Sequence, residues 1–277
     1  TTSSVVDVAN ETTLQMQNLT GAGSLTKTGL GTLTLSGTND YAGGTTVSGG
    51  ILSISSDENL GASTGALTLS GGTLKTTADV VLGTRPVTFT TSSVVDVANE
   101  TTLQMQNLTG AADQTLTKNG AGRLDISGTL SVGNLTIQAG TFSPGNSIGT
   151  TTLSAGNFSL AENATLLFEM GTFGDTFTVD TLSVTGEISF AEGSSIAFLL
   201  DGALPASNAS YTLASATEDI MYGTFNWRAI FIAAGMNPDN WSVTADTKRL
   251  LLNYRTDVPG NGVPEPSTYL LLLFGGA

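Results

Sequence analysis

Short runs in which apolar residues alternate with Thr, Ser or other small polar residues recur along most of the chain: Val6/Val8, Leu14/Met16, Leu33/Leu35, Leu52/Ile54, Leu67/Leu69, Val87/Phe89, Leu103/Met105, Leu124/Ile126 and Leu135/Ile137. A period of two is that of a strand with one buried face. The gaps between runs hold Gly-Gly, Gly-Thr-Asn-Asp or Asp-Glu-Asn, all turn formers. The pattern therefore predicts an all-β chain of strands of about five residues joined by tight turns.

The arrangement of those strands is constrained by a repeat. Thr1 to Ala22 is identical to Thr90 to Ala111, an offset of 89 residues. Similarity continues past a two-residue insertion, with Leu25-Thr26-Lys27 answering Leu116-Thr117-Lys118, Gly29 and Gly31 answering Gly120 and Gly122, and Ser36-Gly37-Thr38 answering Ser127-Gly128-Thr129. A unit duplicated in this way buries its apolar face against its neighbour. Taken as four turns of about 22 residues, the offset predicts a parallel β-helix, with Leu, Val and Ile stacked inward and Thr and Ser outward. The alternative is an antiparallel β-sandwich with a duplicated hairpin.

Composition changes near residue 157. Only Tyr41, Phe89 and Phe142 are aromatic before it, whereas 158–256 hold thirteen aromatics, including both tryptophans. The expected organisation is a repeat array over 1–157, aromatic-rich terminal coils over 158–204 and a C-terminal cap over 205–256 that hides the open sheet end. A linker over 257–262 and a sorting segment over 263–277 follow. Trp227 to Ala234, followed by Gly235 and Pro238, is the expected short helix.

Cysteine and histidine are absent, only 12% of residues are charged, and the net charge is -14. Disulfides, thiol nucleophiles, Cys/His zinc sites and histidine-based triads are thereby excluded. The acidic balance argues against nucleic acid as a partner. The hydrophobic fraction of 39% is that of a folding chain.

The stretch from Gly23 to Val47 combines Lys27-x-Gly29-x-Gly31, Leu33-x-Leu35-x-Gly37, Asn39-x-Tyr41 and Gly43-Gly44-Thr45-x-Val47 in order, and continues into Gly49-Gly50-Ile51-Leu52. It resembles the autotransporter-associated β-strand repeat, also called the passenger-associated transport repeat. A second copy keeps Lys118, Gly120, Gly122 and Ser127-Gly128 but lacks the Asn-x-Tyr-x-Gly-Gly portion. The resemblance implies a right-handed β-helix of a secreted or surface protein with structural or adhesive use, and no active site or cofactor. Val263, Pro264, Glu265, Pro266 and Ser267, followed by a leucine run, are similar to a PEP-CTERM sorting signal whose helix is short and whose basic tail is missing. That resemblance implies an exosortase-type processing partner, transient membrane anchoring through the C-terminal helix, and the extracellular or outer surface of a Gram-negative bacterium. Export would use an N-terminal signal ahead of Thr1.

Several residues are candidates for chemistry. Asp175 with Asp180, or Glu162 with Glu169, would be carboxylate pairs of the kind glycoside hydrolysis needs. Solvated turn carboxylates are the simpler expectation, because Lys27, Lys75, Arg85, Lys118 and Arg123 are spread one per coil. Asp57, Glu58 and Asp79 carry oxygen ligands but not the spacing of a calcium loop. Trp227, Trp241 and Tyr222 are candidate contacts for carbohydrate, with the filling of a cap core as the alternative use of the same rings. Nine N-x-[ST] sequons fall at Asn10, Asn18, Asn99, Asn107, Asn134, Asn157, Asn163, Asn208 and Asn240. Two functions remain: a non-enzymatic surface or matrix protein contacting exopolysaccharide or neighbouring cells, or a polysaccharide-processing enzyme on the same fold.

Overall fold

The computed structural model describes residues 3–145, 150–153, 156–173, 176–222 and 224–256. Strands numbered in chain order stack in parallel, coil upon coil, as registers such as Leu33 on Leu52 and Leu116 on Leu135 show. The fold is a parallel β-solenoid, and the antiparallel sandwich is excluded.

Three faces surround the core. Face one carries β1 (Ser4–Asp7), β3 (Leu25–Thr28), β5 (Thr45–Val47), β7 (Leu67–Ser70), β10 (Val87–Thr91), β17 (Thr150–Leu153), β21 (Thr181–Val184) and β24 (Ala209–Ala216). Face two is one ten-stranded sheet of β2 (Thr13–Gln17), β4 (Thr32–Ser36), β6 (Ile51–Ile54), β8 (Thr73–Thr76), β11 (Ser93–Val97), β13 (Thr115–Asn119), β15 (Asn134–Ile137), β18 (Asn157–Leu160), β22 (Ile188–Phe190) and β25 (Ile220–Met221). Face three starts only at β9 (Val80–Val81) and continues through β12 (Thr102–Gly110), β14 (Arg123–Ser131), β16 (Gly140–Ser143), β19 (Ala164–Phe173) and β23 (Ser195–Asp201). The long strands β12 and β14 bend round the corner, so their second halves continue face one between β10 and β17.

This arrangement corrects the arithmetic of the repeat. On face two, Leu14 is followed coil by coil by Leu33, Leu52, Leu74 and Val95. The sequence equivalent of Leu14 is Leu103, which lies on face three beside Val80 and Leu124. Likewise Val5 is on face one, and its equivalent Val94 is on face two. Four coils of about 20 residues fall short of 89, so the second copy of the repeat is advanced by one face around the axis.

The ladder passes through residue 157 without a break, since β18 pairs with both β15 and β22. What changes there is coil size. Successive partners Phe158, Ile188 and Ile220 are about 30 residues apart, and some of the added chain forms an antiparallel hairpin of β19 with β20 (Thr176–Val179). Larger side chains fill the wider core: Phe142, Phe158 and Phe190 lie 5.7 and 6.5 Å apart in turn. The stack ends in an antiparallel unit, in which β27 (Arg249–Tyr254) pairs with β24 on one side and β26 (Trp241–Ala245) on the other. The expected helix is α1 (Trp227–Ala233), capped by the Asn226 side chain and followed by Gly235 at φ +71°.

The corners between faces are built by charged and amide side chains. Lys27 and Lys118 occupy inward positions in otherwise apolar columns, Val6–Lys27–Val47 and Val95–Lys118–Ile137. Both are fully buried. Each ammonium donates to three corner carbonyls: Thr28, Gly29 and Gly49 for Lys27, and Asn119, Gly120 and Ala139 for Lys118. Burial lowers the Lys118 ammonium to about 8, with Asp96 opposing the shift, and lowers Lys27 in the same direction. The paired glycines follow from the same crowding. Gly120 adopts φ +77°, and a Cβ on Gly122 would sit 2.1 Å from the carbonyl oxygen of Ala98.

Lys118→Met keeps the stem and strands three carbonyls, so it should lower unfolding free energy by about 2–4 kcal/mol. Gly122→Ala should also destabilise through its clash, by roughly 1–3 kcal/mol. Urea unfolding followed by far-UV circular dichroism checks both.

Candidate functional site

On the opposite corner to Lys27, Asn39 and Asn59 form a two-rung ladder between coils. Asn39 Nδ2 donates to the Asn59 carbonyl at 2.7 Å, its Oδ1 accepts from Leu19 N at 2.7 Å, and Asn59 Nδ2 donates to the Gly37 carbonyl at 2.9 Å. Tyr41 is buried beside them with its hydroxyl 2.6 Å from Thr45 Oγ1. Arg85, 1% exposed, plugs the next stretch of this corner. It pairs with the Asp57 carboxylate at 2.5 and 3.0 Å and donates to the carbonyls of Gly61, Ala62 and Gly65. Of the three calcium candidates, Asp57 is thus tied to Arg85. Glu58 accepts from Thr38 Oγ1 and Asp79 accepts from Thr102 N. The three are engaged separately, and among the described residues no group of three acidic side chains converges on a cation site.

The aromatic candidates do not form one open platform. Trp227 is 9% exposed and packs on Phe225 and Phe231 at 5.3 and 6.5 Å. Trp241 is 3% exposed, against Tyr254 at 4.6 Å and Phe177 at 6.1 Å. Tyr222 is half-buried, stacked on Phe190 at 6.0 Å, and its hydroxyl donates to the carbonyls of Asp246 and Arg249. Closing the end of a widened core requires large rings, and both indoles are spent on that. Beside them, a cleft of about 400 Å³ lies between α1 and β23, lined by Ser194, Ile196, Phe198, Asn226 and Ile230. The Ser194 hydroxyl is buried there with no hydrogen-bond partner.

A charged cluster lies on face three. Arg123 and Asp125 alternate with the buried Leu124 and Ile126, so they point away from the core. Arg123 Nε donates to Asp125 Oδ1, and its Nη2 donates to Glu169 Oε1 on β19. Asp180 joins through backbone: its Oδ2 accepts from Glu169 N at 2.9 Å and from Ser143 Oγ at 3.4 Å. Of the proposed carboxylate pairs, Glu169 and Asp180 are brought together across the pairs rather than within them, and Asp175 lies outside the described residues. The short spacing Arg123-x-Asp125 on one strand face was a legible signal. Its approach to Glu169, 46 residues away, was not.

Burial raises the Asp125 carboxyl to about 6, against the lowering effect of Arg123. Sequon asparagines also have internal work: Asn107 Oδ1 accepts from Thr129 N, Asn157 Oδ1 from Glu187 N and Asn208 Oδ1 from Thr256 N. The motif Val263, Pro264, Glu265, Pro266 and Ser267 lies outside the described residues. Because the folded-state value of Asp125 lies above the ordinary 3.8, folding favours its protonated form. The stability this supplies is complete below about pH 4 and is lost as pH rises through about 6. Asp125→Asn, neutral throughout, should therefore gain on the wild type in Tm between pH 4 and pH 7, as read by calorimetry; a constant difference would contradict the assignment.

The corner lysines and glycines coincide with what comparison with known proteins finds. Residues 25–54 and 116–143 match the passenger-associated transport repeat, and these segments hold Lys27 with its carbonyl cage, the Asn39–Tyr41 corner, and Lys118 with its cage. Over 135 residues the chain is 41% identical to the adhesin BmaC autotransporter of Brucella suis biovar 1 (strain 1330). That alignment takes in 48% of this chain and 4% of the adhesin's length, so the matched half of this chain is similar to a small part of that protein.

Proposed function

We propose that this chain works outside the cell as part of an adhesin-type surface protein, its solenoid holding a hydroxyl-covered surface away from the cell for contact with exopolysaccharide or neighbouring surfaces. The observation that carries this is the pairing of a repeat similar to autotransporter passengers with outward strand positions occupied mainly by Thr, Ser, Gln and Asn. Such positions offer many weak hydrogen bonds and little charge, which suits low-affinity contact repeated along a rod. Pro264-Glu265-Pro266 is proposed as the recognition motif for an exosortase-type enzyme, since a proline on each side of a residue disfavours helix and sheet.

The net charge of -14 adds a selectivity. An anionic polysaccharide is repelled and a neutral one is not. In co-sedimentation, a neutral exopolysaccharide should bind more than an anionic one at low ionic strength, with the gap closing as salt approaches 0.5 M, a concentration at which the screening length is roughly 4 Å. No new reducing ends should form. Equal binding of both at low salt would contradict the charge argument.

A polysaccharide-processing enzyme is the second reading, favoured by one observation: Arg123 and Asp125 on β14 meet Glu169 on β19, two coils along face three past β16. Both carboxylates are held by the same guanidinium, which weakens the case. New reducing ends in the same tube, abolished by Glu169→Gln, would establish it. For sorting, mass spectrometry of protein released from the native host should find the mature C-terminus near Pro264–Pro266; an intact leucine run in released protein would remove the proposal.

A further inference from the structure

One side of β23 forms a wall of the cleft beside α1. Ser194, Ile196 and Phe198 are buried and alternate with exposed Ser195 and half-buried Ala197, so their side chains leave the strand in the same direction. All three line the cleft of about 400 Å³, and Phe225 completes its apolar floor. Both rings are held in place by others: Phe198 stacks on Phe231 at 5.7 Å, and Phe225 meets Phe190 edge-on at 5.7 Å. Thr224 and Asn226, both exposed, form the rim.

Ser194 is incompletely satisfied in this arrangement. It is 9% exposed, its backbone N–H donates to the Ala191 carbonyl at 3.1 Å, and its hydroxyl has no partner. A buried hydroxyl without a hydrogen bond costs free energy that a polar group entering the cleft offsets. Asn226 also keeps spare capacity: its Oδ1 accepts from Ala229 N at 3.1 Å, and its Nδ2 takes part in none of the described hydrogen bonds. Among the described residues, none that lines the cleft is charged. Arg228, the charged residue of α1, is paired with Asp239 at 3.0 Å.

We propose that this cleft is a binding site for one neutral sugar residue, the end of a glycan chain. A pyranose has C–H faces and hydroxyl edges. Phe198 and Phe225 offer ring surface to the faces, while Ser194 at the floor and Thr224 and Asn226 at the rim offer uncharged hydrogen bonds to the edges. An alkyl chain of the same size would leave the Ser194 hydroxyl unpaired, and a uronic acid would meet no cation in the cleft and a net charge of -14 around it. The volume is near the lower end of small-molecule sites, which suits a chain end rather than a long stretch of polymer. The choice of sugar as ligand rests on the reading of this chain as a polysaccharide-contacting surface protein, and it adds a defined pocket to the diffuse contacts along the solenoid.

The full chain is titrated with the methyl glycosides of glucose, galactose and mannose, with methyl glucuronide and with 1-hexanol, and amide chemical shifts are followed by NMR. At least one neutral glycoside should bind with a Kd on the order of millimolar, moving the resonances of residues 194–198 and 224–230, and the glucuronide and hexanol should leave them in place. Ser194→Ala should weaken that binding by roughly five- to ten-fold without lowering Tm, since the hydroxyl it removes is unpaired; a serine with a purely structural role would lower Tm instead. Ala233→Leu, at an exposed position lining the cleft, should fill it and abolish binding. The proposal is overturned if no neutral glycoside moves these resonances, if hexanol or the glucuronide binds as well as the sugars, or if Ser194→Ala leaves the affinity unchanged. Co-sedimentation separates this site from the broader reading: polysaccharide held by a chain that binds no glycoside removes the site alone, and glycoside binding by a chain that holds no polysaccharide removes the broader reading alone.

Discussion

A parallel coil must change direction at each corner, and carbonyls that turn inward there need donors from side chains. Lys27 and Lys118 answer this by entering the core as members of apolar columns and bending their ammonium groups to three carbonyls each. Arg85 does the same for a wider turn, and Asn39 and Asn59 do it without charge. Removing any one of these strands buried acceptors, which costs more than the bond itself gains. The stacking of the strands depends on these corners being closed.

The cost of a buried cation is visible in the lowered Lys118 pKa, and it is tolerated because stem and head do different work. The stem packs with Val95 and Ile137 while the head neutralises carbonyl dipoles. With three of the nine cations inside, the acidic groups dominate the outside. The negative surface is thus partly a consequence of how corners are built.

The two ends of the described solenoid differ. Widened coils, stacked phenylalanines and the β24–β27–β26 unit close one end, consuming both tryptophans. At the other end of the described residues, β1 and β2 stack on β3 and β4. Advancing the duplicated unit by one face also turns the same outward residues to a new direction around the axis.

Much of this was legible in the sequence. Period-two alternation determined the strands, because a pleated strand cannot hide its apolar side any other way. Lys-x-Gly-x-Gly was legible as a repeated motif, though not as the corner it builds, and Gly235 was legible as the stop of the helix, whereas its cap at Asn226 came from the structure. The faces on which the strands lie were not legible, since an offset of 89 residues does not reveal that a coil here takes about 20, nor that the early coils lack a strand on face three. The meeting of Arg123, Asp125 and Glu169 and the burial of Trp227 and Trp241 were also decided by tertiary structure. Local sequence sets which side of a strand a residue occupies, a matter of neighbouring dihedral angles. Which distant side chain stands above it depends on the lengths of every turn between them, and only the closed coil fixes that sum.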